Sequence, residues 1–389
     1  MKKTLLSLSL LSICGSAAAS ELYNGRISGM SGAGYVTSNY SDGVLLNSSM
    51  GAAHNTDDRF ALVLNAGGVA SDKDDLIDAM EDLVDYTDYL DEISNPDDIS
   101  NAQDFEPGMA DILTGYLEKV EGKTVNALAG TSLVVSIPNE MVSVSLIAKA
   151  SGSVSVFTYV DPADYVLIDT AATANQPFDT SDLQSSVTGR GAIIQEVGVS
   201  FAKAVVDTDS KKILVGITPK RVTVETLIYT ATVDNYDEDD IDSDENKKES
   251  SATSFDAGIT YIEGNIRYGL AVTDAVSKDF ETITAEKFEL KTKTTAAVGY
   301  SKGWLTAEAA LDLNATPVFG LDGEVKMLRA GVELSPYSFL HISAGMARDL
   351  EDTLEDTYSF GIGTYGINLA VFTGKNNTTG GALQLGMRF

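Results

Sequence analysis

The sequence predicts an all-β fold: a transmembrane antiparallel β-barrel of about 14 strands with an N-terminal plug and two helices in the first outer loop. Three observations carry this reading. Period-two alternation of apolar and polar residues recurs along the chain. The connections between alternating segments tend to be short and long in turn. The last segment, Gly381-Ala382-Leu383-Gln384-Leu385-Gly386-Met387-Arg388-Phe389, is apolar at every second position from Phe389 back to Leu383. A barrel strand shows apolar side chains to lipid and polar ones to the lumen. One such strand alone fits the edge of a soluble sheet equally well, since alternation marks any half-buried strand.

The N-terminus supports export. Lys2 and Lys3 precede an apolar run from Leu5 to Ile13, followed by Ala17-Ala18-Ala19. This is a charged n-region, a short apolar h-region and a small-residue cleavage site. The run falls far below the roughly 20 residues that span a bilayer as a helix. Residues 1–19 are therefore expected to be a cleaved signal peptide, with Ser20 the first mature residue. Cys14 is the single cysteine. A lipoprotein signal would want a small residue before it, where Ile13 stands. Cleavage after Ala19 would remove Cys14, excluding disulfides and thiolate sites from the mature chain.

The 389 residues carry a formal charge of −30, and losing Lys2 and Lys3 makes it −32. Nucleic acid is not an expected partner, because phosphate binding needs lysine and arginine in excess. Much of the acid is local: Asp234 to Glu249 holds nine carboxylates against Lys247 and Lys248, a run read as a solvated loop.

The expected strands are 58–68, 122–137, 140–161, 190–206, 211–232, 251–262, 265–275, 286–301, 303–314, 323–335, 338–350, 356–364, 366–374 and 379–389. Short turns fall near Pro138, Thr208, Gly264, Lys302, Pro336 and Tyr365; longer connections fall near Ala172, Glu238, Val276, Pro317, Glu351 and Asn376. An even count puts both termini on the side of the short turns, the periplasmic side of an outer-membrane barrel. Tyr261, Tyr300, Trp304, Tyr337, Phe339 and Tyr365 gather near those turns, as an interfacial aromatic girdle does. The alternation places Glu289, Lys291, Lys293, Glu308, Asp312, Arg329 and Glu333 toward the lumen. There they form a hydrated wall, line a solute path or hold a plug by ion pairs; the last is preferred.

Two segments break the pattern within a helical insertion, 71–121. Asp74 to Ile93 carries Leu76, Ile77, Met80, Leu83, Val84, Leu90 and Ile93 at helical spacing, and Met109 to Val120 carries Ile112, Leu113, Tyr116 and Leu117. Their apolar stripes pack on each other or on the barrel rim, since such stripes usually face a core. The alternative is an apolar binding surface built from Leu76, Met80, Leu83, Ile112 and Tyr116.

A terminal Phe closing an alternating strand resembles the closing strand of bacterial outer-membrane barrels. Residues 20–57 precede the first strand and are rich in small residues. They include Gly29-Met30-Ser31-Gly32-Ala33-Gly34-Tyr35-Val36, Asp42 and Leu45-Leu46-Asn47-Ser48-Ser49-Met50. This resembles the N-terminal plug of FadL-type outer-membrane transporters, where a Gly-rich stretch leads to an Asn-Pro-Ala motif. Here Ser48 follows Asn47, so the proline is missing. With the acidic segment Asp74 to Leu83, the match is closer to the plasmid-transfer TraF-like branch. The resemblance implies a plug at 20–57 with Gly29, Gly32, Gly34 and Asn47 as its motif, and a barrel at 58–389. Without the family, the segment reads as a lumenal plug, its glycines permitting tight turns in a confined space, or as a flexible periplasmic arm.

Chemistry is sparse. The two histidines, His54 and His341, suggest no catalytic arrangement, and no phosphate loop or zinc motif occurs. Asp240-Ile241-Asp242-Ser243-Asp244 fails as a calcium loop, with Glu245 at the glycine position and Ser251 at the bidentate position. No enzyme activity, metal or cofactor is expected. The expected surroundings are outer-membrane lipid and lipopolysaccharide. Three functions compete: a FadL-like conduit for a small hydrophobic molecule, a non-transporting protein working with conjugation or envelope proteins, and a polar porin. Deleting Phe389 is expected to lower outer-membrane assembly. Unchanged heat-modifiable migration and surface exposure in the deletion would count against the barrel.

Overall fold

The computed structural model describes residues 24–73, 75–94, 104–174, 178–208, 210–232, 243–321 and 323–389. The expected signal segment 1–19 and most of the acidic run 234–249 lie outside them.

Eighteen strands are described: β1 (Ala61–Asp72), β2 (Thr124–Ile137), β3 (Ser143–Tyr159), β4 (Ser186–Asp207), β5 (Lys211–Thr232), β6 (Lys247–Glu263), β7 (Ile266–Thr273), β8 (Lys278–Glu281), β9 (Lys287–Leu290), β10 (Lys293–Lys302), β11 (Leu305–Asp312), β12 (Thr316–Pro317), β13 (Glu324–Val325), β14 (Met327–Tyr337), β15 (Leu340–Asp349), β16 (Thr357–Thr364), β17 (Ile367–Gly374) and β18 (Thr379–Arg388). Fourteen form one closed barrel, and β8–β9 and β12–β13 are separate two-stranded ribbons. Every barrel strand pairs antiparallel with the barrel strands before and after it in the chain, so that β7 pairs with β10 and β11 with β14, and β1 closes the ring on β18. Leu62 lies opposite Met387, and Asn65 opposite Gln384. Beyond the ladder, Arg59 N–H donates to the Phe389 carbonyl at 2.7 Å and Phe389 N–H to the Phe60 carbonyl at 2.9 Å. The 14-strand barrel is thus as expected, with most strand ends within a few residues.

Alternation sorts the two faces. Leu64, Leu133, Leu146, Val298, Leu369 and Leu383 are exposed on the outer wall, whereas Asn65, Ser132, Ser145, Ala297, Asn368 and Gln384 face the interior and are buried. Trp304 is 61% exposed and Tyr365 81% exposed at the short-turn end. There the Tyr337, Phe339 and Tyr365 rings stack in series, with centroids 5.5 Å and 5.3 Å apart.

The long connections build a cap. Helices Leu76–Ser94 and Pro107–Val120 stand in the first of them, and a third helix, Pro162–Ala174, follows β3. Leu76, Leu83, Leu90, Leu113 and Leu117 pack with Ile168, Phe105 and Phe178 into one core. The Tyr86 hydroxyl donates to the Met109 carbonyl across it, and burial pushes its pKa up to about 12.

One expected strand divides. Residues 286–301 were expected to run unbroken, but only β10 joins the wall. Phe288 and Leu290, on β9, turn inward with Phe280 and Phe319 against Ile194, Val222 and Val224 of β4 and β5. An apolar lid thereby closes over the upper lumen. Val298→Arg, which sets a charge on the lipid face, is expected to cost about 2–4 kcal/mol near the midplane, while Val298→Leu is near neutral. Urea unfolding of the reconstituted protein measures both, and equal stability would refute the facing assignment.

Candidate functional site: the occupied lumen

Residues 24–53 run inside the barrel. Asn24 caps a single helical turn, Gly25–Ser28, by accepting from Arg26 N–H and Ile27 N–H. This turn lies against β16, β17 and β18. Arg26 forms a two-pronged pair with Glu333 of β14, at 2.8 Å and 2.6 Å, and its amide donates to Gln384 of β18. Such forked, charge-assisted pairs are among the stronger side-chain contacts. Ser31 meets Ser359 of β16 at 2.8 Å. Farther along, the amides of Tyr35, Val36 and Thr37 converge on the Glu308 carboxylate of β11 at 2.5 Å, 3.1 Å and 2.9 Å, and the Thr37 hydroxyl joins them at 2.7 Å. Val44 packs on Val63, Val134 and Ile147 of β1, β2 and β3. Asn47 caps the 3-10 turn Ser48–Ala52 and donates to the Tyr35 carbonyl and to Thr260 of β6, both at 3.0 Å. That turn lies against β4, β5 and β6. The segment therefore touches the wall around its whole circumference.

Glycines on the strands make this approach possible. A Cβ at Gly216 or Gly258 would strike Ser48 or Asn47; one at Gly299 would strike Thr37; one at Gly331 or Gly345 would strike the Met30 main chain. Within the segment, Gly29 lies on Gly361, and Gly32 has a left-handed φ of 85° that favours glycine.

A belt of charge lies above the segment. Lys220 of β5 contacts Glu196 at 2.6 Å and both Asp256 and Asp274 at 2.8 Å, and Lys149 reaches Glu196 at 3.0 Å. Elsewhere on the wall Arg329 meets Asp312 at 3.1 Å, and Asp312 also accepts from Thr295 and from Met327 N–H. Between segment, belt and lid lies a cavity with about 80 Å³ open to water-sized molecules. Ser31 lies at one side, with Lys149, Glu196, Asp312 and Arg329 along the wall and Phe288, Leu290 and Val318 from the outer connections.

The expected lumenal charges separate into three groups. Glu308 and Glu333 hold the N-terminal segment. Asp312 and Arg329 bind each other, with Lys293 close enough to act on Asp312 electrostatically. Glu289 and Lys291 are not on the wall: Glu289 belongs to the β8–β9 ribbon, and Lys291 pairs with Glu324 among the outer connections at 2.8 Å. Leu76 and Leu83 are buried in the cap core, with Met80 and Tyr116 packed against it, so these four form no open apolar surface; Ile112 alone of the five is well exposed, at 47%. Gly29, Gly32, Gly34 and Asn47 all lie in the lumenal segment. The belt residues Lys149, Glu196, Lys220, Asp256 and Asp274 escaped sequence reading, although each sits on or beside a strand that alternates.

A closed barrel with an apolar outer wall, an aromatic girdle and its own N-terminal segment in the lumen shares its fold with solved FadL-type barrels. The family model described as "F plasmid transfer operon, TraF, protein" matches residues 44–312, and the chain belongs to that family. Among solved structures, the toluene transporter TbuX of Ralstonia pickettii is similar, with a TM-score of 0.51 and 8% identity over 96% of this chain and 98% of that one. A FadL homologue of Pseudomonas aeruginosa has a TM-score of 0.51 and 12% identity over 94% of this chain and 98% of that one. A mutant of the monoaromatic hydrocarbon channel TodX gives 0.50 and 9%, over 94% and 98%. No curated protein matches the chain.

Arg329→Met is expected to cost up to about 3–5 kcal/mol by taking from buried Asp312 the arginine that pairs with it, with Lys293 remaining nearby. Adding Asp312→Leu should recover much of that loss. Unfolding of the single and double variants checks the cycle; simple additivity would show that the pair does not interact.

Proposed function

We propose that residues 1–19 are removed on export and that the chain assembles in the outer membrane as a barrel closed by a plug, residues 20–57. In this reading it admits a small hydrophobic solute at its loop end. The observation that carries the reading is the lumen itself: a FadL-type barrel holding its own N-terminal segment beneath a cavity with apolar cover. The similar structures are named as a toluene transporter, a monoaromatic hydrocarbon channel and a FadL homologue. Passage requires the plug to shift, because the segment meets the wall on every side. The second reading is a non-transporting outer-membrane protein that supports conjugative transfer. The family description favours it, and so does a segment so widely seated. A polar porin needs an open aqueous lumen, which such a segment does not leave.

Purified protein in liposomes, offered labelled fatty acid, toluene and a small sugar, separates the readings. Uptake of fatty acid or toluene is expected; sugar uptake would favour the porin, and no uptake the second reading. Deleting Ser20 to Met50 while keeping the signal peptide is expected to leave an assembled barrel of higher conductance in planar bilayers. An assembled deletion with unchanged conductance would refute the plug.

A further inference from the structure

Five lumen-wall residues form a row across five neighbouring strands. Arg267 on β7 lies opposite Gly299 on β10, Gly299 opposite Glu308 on β11, Glu308 opposite Gly331 on β14, and Gly331 opposite Gly345 on β15. Each residue in the row meets the N-terminal segment. Arg267 Nη1 donates to the Val36 carbonyl at 3.0 Å. Glu308 accepts three successive amides, those of residues 35 to 37. The glycines provide clearance: Val36 and Thr37 cover Gly299, and the Met30 main chain covers Gly331 and Gly345. Four of the hydrogen bonds between row and segment, those of the residue 35 to 37 amides and of the Val36 carbonyl, use the main chain of the segment, and the Thr37 hydroxyl adds a fifth. Successive amides directed at one carboxylate form an anion-binding nest, and a cation on the adjacent carbonyl fixes the peptide from its other side.

We propose that this row is a binding site for polypeptide main chain, that residues 30–37 are its ligand in cis, and that it retains the plug. The proposal rests on the lumenal position of the segment. Because the row's hydrogen bonds go mainly to main chain, it is sensitive to bulk or altered donors on the wall, while the Val36 and Thr37 side chains fill the clearance at Gly299. Glu308→Gln is nearly isosteric, yet it turns donor N–H groups toward a nest of donors. Gly299→Val fills the clearance without changing charge.

The test is hydrogen–deuterium exchange of the full-length protein in detergent. In both variants the amides of residues 35 to 37 are expected to exchange roughly tenfold faster or more, the scale of one lost charge-assisted hydrogen bond, while the amides of β10 and β11 keep their protection. Wild-type exchange at residues 35 to 37 in folded variants would overturn the proposal. If Glu308→Gln fails to assemble, Arg267→Met removes the opposite contact, with the same expected result. Conductance is measured separately. Faster exchange with unchanged conductance supports the row and removes only the role of the segment in limiting permeation.

Discussion

The pairing of β1 with β18 is the contact on which the remaining structure depends. A spanning sheet in hydrocarbon cannot leave an edge of unpaired amides and carbonyls, so the ladder must return to its start. Here it does so between segments separated by nearly the whole chain, and the hydrogen bonds continue past the strands to Phe60 and Phe389. Closure determines which side chains meet water, lipid or one another. It also creates the confined volume in which every lumenal contact is made.

That volume is organised in levels. The N-terminal segment lies toward the short turns, the belt around Lys220 and the Asp312–Arg329 pair comes next, and the apolar lid of Phe280, Phe288 and Leu290 lies toward the long connections. Burying charge is costly unless it is paired and hydrogen-bonded. The belt pairs its charges, with Glu196 between Lys149 and Lys220, Asp256 and Asp274 also against Lys220, and an arginine–aspartate pair braced by Thr295. The belt is charged and the lid above it is apolar, so the polarity of the lumen falls toward the loop end.

The barrel was legible because a wall between lipid and lumen imposes period two on every strand. The same rule failed where alternation arose for another reason. Phe288 and Leu290 alternate because one face of their ribbon packs onto β4 and β5, and this pattern is indistinguishable from a lipid-facing strand. Helix Pro162–Ala174 stayed hidden because its buried side is made of Asp164, Ile168 and Ala172, which leaves only a weak apolar stripe. In the lumen, Glu308 and Arg329 look alike as inward charges. One holds three amides and the other a carboxylate, and only the register across strands separates them. The wall glycines carry no distinctive signal either, since a small residue in a strand can serve a bend, a bulge or a close approach.

The route of the N-terminal segment bears on the order of events during assembly. Its first turn lies against β16, β17 and β18, whereas its last turn lies against β4, β5 and β6. Arg26 and Asp42 both engage Gln384 on the final strand. The segment before β1 therefore has no complete seat until β18 is in place. Local hairpins can form one after another along the sheet, but the interior packing must wait for the ring to close. The segment comes early in the chain and is the last to come to rest.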